Sequence, residues 1–351
     1  MTGDSTPAVR RRQEPLASIW ARRALSLPLY LGLALLCLAG APLWVLLTAA
    51  TDLARGQART WPQTRALGFF ALYLACEVVG VLVATLLWLA TLGGRLGGPG
   101  RFLDANAALQ RGWTSVLFRG GVLLFSMKVT VEGLELARTG PLLLLVRHAS
   151  TADTVLAAAL VANPNRLLLR YVLKRELFWD PCLDIVGRRL PNAFVDRSAG
   201  RSRGEIEAVA RLARDLDARS AALIFPEGTR FTGERLAGRL EALRDGKQER
   251  LLAIASGFRH VLPPKLGGTL ALLEAAPGVD LLLLEHTGFE AAESFADFWG
   301  GGLVGCSVRV RLRRFPAASI PASGRDLWLF ERWAEMDDWI ARNRAGGGHP
   351  A

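Results

Sequence analysis

Residues 142–160 read LLLLVRHASTADTVLAAAL. An unbroken apolar run stops at Arg147, a histidine follows, and an aspartate stands five residues further on. Two readings of this stretch stand side by side. In one, Ser150 is a helix N-cap and Asp153 its partner in a capping box ahead of an alanine-rich run, with His148 a polar loop residue. In the other, His148 and Asp153 are a titratable pair placed where a buried strand runs out. There a histidine with an ordinary pKa near 6.5 can take a proton at neutral pH. The stretch alone does not choose between them, so the rest of the chain has to.

The chain has 351 residues, 51% of them hydrophobic, and a formal charge of +11. That is one catalytic-size unit with an appendage rather than a single small domain. The hydrophobic excess is concentrated. Residues 24–51 carry no charged side chain, and residues 66–94 carry only Glu77. Each stretch is long enough to cross a hydrocarbon core of about 30 Å at about 1.5 Å per residue. A cleaved signal peptide has a shorter apolar region and would not come twice. The expected layout is therefore a membrane region over 1–111 with two transmembrane helices (24–51 and 66–94), followed by a domain over 112–351. Arginines flank the pair at 10–12, 22–23, 95, 101, 111 and 119, against three in the connecting loop. This bias puts both termini, and with them the large domain, on the cytoplasmic side of the inner membrane. A lone carboxylate in lipid is costly, so Glu77 is expected to be neutral or to face the other helix. Residues 112–127 are too short and interrupted to span and are expected at the membrane interface.

Cys37, Cys76, Cys182 and Cys306 form no C-x-x-C pair and no disulfide framework, which fits a reducing compartment. The surplus of arginine carries no nucleic-acid motif with interleaved aromatics, so a nucleic-acid partner is not expected. Anionic lipid headgroups and an anionic substrate account for the charge more simply.

Beyond residue 127 strand-like and helix-like runs alternate. KVTVEG (128–133), PLLLLV (141–146), RLLLRYVL (166–173), AALIF (221–225), DLLLLEH (280–286) and CSVRVRLRRF (306–315) read as strands. Helix-like runs lie at 152–162, 201–219, 268–276 and 324–344. Continuous apolar strands belong to a sheet covered on both faces, so the expected fold is an α/β domain with a central, mostly parallel sheet. A second polar signal, FPEGTR at 225–230, follows an apolar strand and brings Glu227, Gly228 and Arg230 to a strand end. A plain Pro-Glu-Gly turn would look the same. A third, GRRLPNAFVDRSAG at 187–200, places Arg197 after a short strand-like NAFV, where it could equally be a solvated arginine beside Asp196.

Taken in order, HASTAD, KRELFWDP, NAFVDR, FPEGTR and HVLPPKLGG resemble the 1-acylglycerol-3-phosphate acyltransferase family of glycerolipid acyltransferases, over roughly residues 128–290. The pairing of H-x-S-x-x-D with F-P-E-G-T-R about 75 residues later is specific. The resemblance implies an α/β acyltransferase domain that moves an acyl chain from a thioester to the free hydroxyl of a lysophospholipid. It implies His148 as general base and Asp153 as its orienting partner. It implies Glu227, Gly228, Arg230 and Arg197 as contacts to the glycerol-phosphate head, with Lys174 and Lys265 at basic positions of the flanking motifs. No cofactor and no metal is implied; acyl-CoA or an acyl carrier protein thioester is the co-substrate, and the bilayer is the partner. This chain departs from many members in having Arg147 where they have asparagine. It is also longer and more charged between Glu227 and His260. Both features bear on the acceptor, which could be another lysolipid.

The competing readings have specific gaps. A metal-dependent hydrolase would need an H-x-x-x-H or H-E-x-x-H pair, which the sequence lacks. A membrane lipid-binding protein without catalysis would have no use for both His148 and Glu227.

Overall fold

The computed structural model describes residues 14–196 and 203–344. Four helices come first: α1 (Leu16–Ala39), α2 (Ala41–Ala54), α3 (Pro62–Thr91) and α4 (Gly98–Leu124). α1 and α3 are long and apolar enough to cross a membrane, by length and composition. The first apolar stretch is broken, because Gly40 separates α1 from α2 and Pro42 follows inside the new helix. A side chain at Gly40 would collide with the indole of Trp44. α3 turns back along this pair. Asp52 at the end of α2 accepts hydrogen bonds from the Gln63 and Thr64 backbone N–H groups at the start of α3 (both 3.1 Å). That is a carboxylate on a helix N-terminus.

α4 runs through the expected boundary at residue 111 as one helix. Its Gly- and Arg-rich composition reads as a linker, yet two of the glycines are packing positions. A Cβ on Gly120 would lie 2.1 Å from Leu72, and one on Gly121 3.4 Å from Phe69. Small residues let α4 lie close against α3. Glu77 does not face α1. It is buried between α3, α4 and the helix Pro181–Arg189, accepting from the Trp113 indole and the Cys182 backbone N–H (both 3.0 Å).

A seven-stranded sheet follows: β1 (Lys128–Glu132), β2 (Leu142–Val146), β3 (Leu168–Lys174), β4 (Ala193–Val195), β5 (Ser220–Ile224), β6 (Asp280–Thr287) and β7 (Ser307–Phe315). The spatial order is β1-β7-β6-β2-β5-β3-β4, and only the β6–β7 pair is antiparallel. β2 and β5 are buried along their whole length, as continuous apolar strands in the middle of a covered sheet must be. One core lies under Leu142, Leu144, Leu223 and Leu282. The other lies under Leu143, Leu145 and Leu283, closed by Trp333 of the C-terminal helix Arg325–Asn343. Because β2, β3, β5 and β6 run parallel, their C-terminal ends emerge on one edge of the sheet, where open α/β folds bind ligands. That edge carries His148, Lys174, the 227–230 turn and His286.

Candidate active site

The segment after β2 does not become the expected helix over 152–162. It forms a 3-10 turn, Thr151–Val155, and then a single π-helical stretch, Ala157–Ala162. The cause is Asp153. Its Oδ2 accepts from the backbone N–H groups of Ala149 (2.6 Å) and Ser150 (2.8 Å), while its Oδ1 lies 2.9 Å from His148 Nδ1. Ser150 Oγ accepts from the Ala152 N–H, completing the capping box. Both readings of the stretch are therefore realised in one carboxylate: one oxygen closes the turn and the other holds the histidine.

Burial alone would push the Asp153 carboxyl up. The hydrogen bonds from His148 and His286 outweigh it and hold the group below the usual carboxylate range. An ionised Asp153 facing Nδ1 places the ring proton there and leaves Nε2 as the basic nitrogen. The His148 ring sits 4.8 Å from that of Phe225 and lines a cavity of about 780 Å³. Thr151, Lys174 and Arg230 line it too. Much of the remaining lining is apolar, with Phe69, Trp113, Leu117 and Phe125 of α3, α4 and the turn after it on its wall.

Arg230 is held by the Glu293 carbonyl and, at 3.4 Å, by the Thr151 hydroxyl. The following residue, Phe231, donates its N–H to the His148 carbonyl (3.2 Å), which ties the FPEGTR turn to the histidine. Lys174 ends β3 on the same cavity. Arg197 lies outside the described residues.

Glu227 does not sit as a contact to an acceptor head. Its side chain is fully buried, Oε1 accepts from the His148 N–H and Oε2 from the Leu262 N–H (both 2.9 Å). Burial pushes its carboxyl up to about 7, against the pull of Arg147 and the two backbone donors. The residue braces the backbone of His148 and fastens it to the 259–262 loop. That loop is fixed from behind by Asp337, whose carboxylate accepts from the N–H groups of Arg259, His260 and Val261. Gly228 is likewise structural. It has a φ of +66°, and a Cβ there would come within 3.0 Å of the Lys265 side chain, so the turn needs a glycine for its own packing. Lys265 in turn donates its backbone N–H to the Pro226 carbonyl (2.8 Å).

Sequence reasoning assigned no role to Arg147 and missed His286. Arg147 is buried and donates to the His286 carbonyl (2.6 Å), the Glu290 carboxylate (2.6 Å) and the His260 carbonyl (2.8 Å). A planar fork of donors suits three acceptors in one place. For Glu290, burial raises the carboxyl, but the Arg147 guanidinium wins and holds it down to about 2. The folded value lies below the ordinary 4.5. The pair therefore adds stability above pH 4.5 and loses it as pH falls toward 2, by about 3 kcal/mol in total. Glu290→Gln should lower the thermal midpoint at pH 7 and flatten its fall between pH 4.5 and 3. Parallel curves for the two proteins would contradict the assignment. His286 ends β6, whose register sets Val146 opposite Leu284, so His286 emerges level with His148. The polar E-H-T end of a strand that begins with an apolar L-L-L-L run was the signal available for it.

Residues 128–269 match a family model described as acyltransferase. This part of the chain is similar to the acyltransferase family. The matched range holds the His148–Asp153 pair and the FPEGTR turn, and the sheet is completed beyond it by β6 and β7. Among solved structures the chain is similar to the 1-acyl-sn-glycerophosphate (LPA) acyltransferase PlsC from Thermotoga maritima. The identity is 16% and the TM-score 0.44, over 77% of this chain and 99% of that one. No curated protein matches the chain.

Proposed function

We propose that this acyltransferase esterifies the free hydroxyl of a lysophospholipid, 1-acylglycerol-3-phosphate above others, using an acyl thioester and yielding phosphatidic acid. The single observation that carries the reading is the His148–Asp153 pair opening onto a largely apolar cavity that Arg230 and Lys174 also line. The acceptor hydroxyl gives its proton to His148 Nε2 as its oxygen attacks the thioester carbonyl carbon. Asp153 stabilises the imidazolium. When the tetrahedral adduct collapses, the C–S bond breaks and the imidazolium returns the proton to the departing thiolate. The products are an ester and a free thiol, and no cofactor enters the balance. The cavity lies within the roughly 300–1,000 Å³ usual for small-molecule sites, and its apolar lining suits an acyl chain. The reading also places the protein at the cytoplasmic face of the inner membrane in phospholipid synthesis, with α1 and α3 as its membrane helices.

A phosphomonoester carries close to two negative charges, and arginine grips it best. Arg230 is the described candidate, with Lys174 beside the cavity; the family resemblance adds Arg197. Arg230→Ala should raise the KM for lysophosphatidic acid about ten- to hundredfold, the loss of a charged hydrogen bond of about 1.5–3 kcal/mol. The KM for the thioester should stay within about twofold. A panel of lysophosphatidic acid, lysophosphatidylcholine and monoacylglycerol with one acyl-CoA tests the acceptor. Equal turnover of the uncharged acceptor, or no effect of Arg230→Ala and Arg197→Ala on lysophosphatidic acid, would assign the enzyme to another lysolipid.

A further inference from the structure

His286 is fully buried at the end of β6, and its Nε2 lies between two oxygens: 3.1 Å from the Arg147 carbonyl and 3.4 Å from Asp153 Oδ2. Both are acceptors, so Nε2 carries the hydrogen. Nδ1 is buried without a partner. A bare lone pair is cheaper to leave unpaired than a second N–H, so Nε2 is the nitrogen that donates. The contact is reciprocal, because Arg147 Nη1 donates to the His286 carbonyl. Phe289 packs edge-on against the ring at 5.6 Å, which fixes its plane.

We infer that His286 is a positioning residue for acyl transfer, clamping Asp153 from the side opposite His148 and fixing the backbone just before the base. The inference rests on the acyltransferase reading of the His148–Asp153 pair. Asp153 presents Oδ1 to His148 alone, because Oδ2 is occupied by two backbone N–H groups and by His286. Without the His286 donor the carboxylate is freer to rotate, and more of its charge falls on the one ring donor that remains. That charge favours protonated His148, so the base is disarmed at a higher pH than in the wild type. The charged or titratable groups around His286 are Asp153 and, through it, His148, with Arg147 and the Glu290 it holds. Glu285, the preceding residue of β6, pairs instead with Arg311 and Arg313 of β7.

The test uses the full chain in lipid or detergent with acyl-CoA and lysophosphatidic acid. His286→Phe fills the space without a donor, and His286→Gln keeps an N–H near the Nε2 position. His286→Phe is expected to lose kcat about tenfold or more while both KM values stay within about twofold. Its acid limb of kcat/KM should rise by about half a pH unit to one unit. His286→Gln is expected to return kcat to within about threefold and the limb to its wild-type position. Should His286→Phe fail to fold, His286→Asn, too short to reach Asp153, takes its place with the same expectation. His148 ring titration by NMR should follow the kinetic limb in each variant. Wild-type kinetics in the donor-less variant, or equal impairment of it and His286→Gln with an unmoved limb, overturns the role. His148→Ala run alongside separates the two claims: activity surviving there removes the functional reading itself, whereas its loss beside wild-type His286 variants removes only this inference.

Discussion

His148→Ala is expected to reduce acyl transfer by at least about a thousandfold while the protein keeps its thermal midpoint. The ring accepts the hydroxyl proton and later returns it to the thiolate, so its removal takes away both proton transfers at once. Asp153→Asn should cost about a hundred- to ten-thousandfold in kcat, because an amide facing Nδ1 no longer fixes the productive tautomer. It should also lower stability, as Asp153 closes the turn through two backbone hydrogen bonds. The double variant should be scarcely worse than His148→Ala, since the two act as one unit. Additive losses would show that Asp153 serves the fold alone.

Glu227→Ala is the second large effect. Both carboxylate oxygens are used, and truncation leaves the His148 and Leu262 N–H groups buried without acceptors. At about 1–3 kcal/mol for each of the two orphaned groups, the stability loss should be about 2–6 kcal/mol. kcat should fall at least about a hundredfold, because the histidine backbone loses its tie to the loop that Asp337 holds. KM for the acceptor should change little. A large rise in acceptor KM with kcat preserved would instead make Glu227 a substrate contact. Thermal midpoints and steady-state constants on the same preparation decide between these.

The parts of the site that were legible in the sequence are those whose geometry is local. His148 and Asp153 stand five residues apart, and a capping turn is enough to bring them together. The strands were legible because a sheet covered on both faces demands uninterrupted apolar runs, as in β2 and β5. What was not legible depends on contacts between distant segments. His286 meets the Arg147 carbonyl across 139 residues of chain, and only the parallel register of β2 and β6 brings them level. Glu227 stands in a motif that marks the site, yet whether its carboxylate turns to a ligand or to the His148 backbone is decided by the 259–262 loop behind it. α4 was hidden because glycine ordinarily breaks helices, whereas Gly120 and Gly121 serve its close packing on α3. The 3-10 and π turns after Ser150 replace a regular helix because Asp153 spends its carboxylate on the first turn and on His148.

The central claim, that a histidine–aspartate pair moves an acyl group from a thioester to a lysolipid hydroxyl, is tested most directly by counting both products in one vessel. Purified full-length protein is given acyl-CoA and labelled lysophosphatidic acid in the presence of a metal chelator, and free thiol and diacyl lipid are measured together. The account predicts the two appearing one for one in the wild type, and neither above background with His148→Ala. Thiol released without acylated lipid, or diacyl lipid formed equally well by His148→Ala, would contradict it.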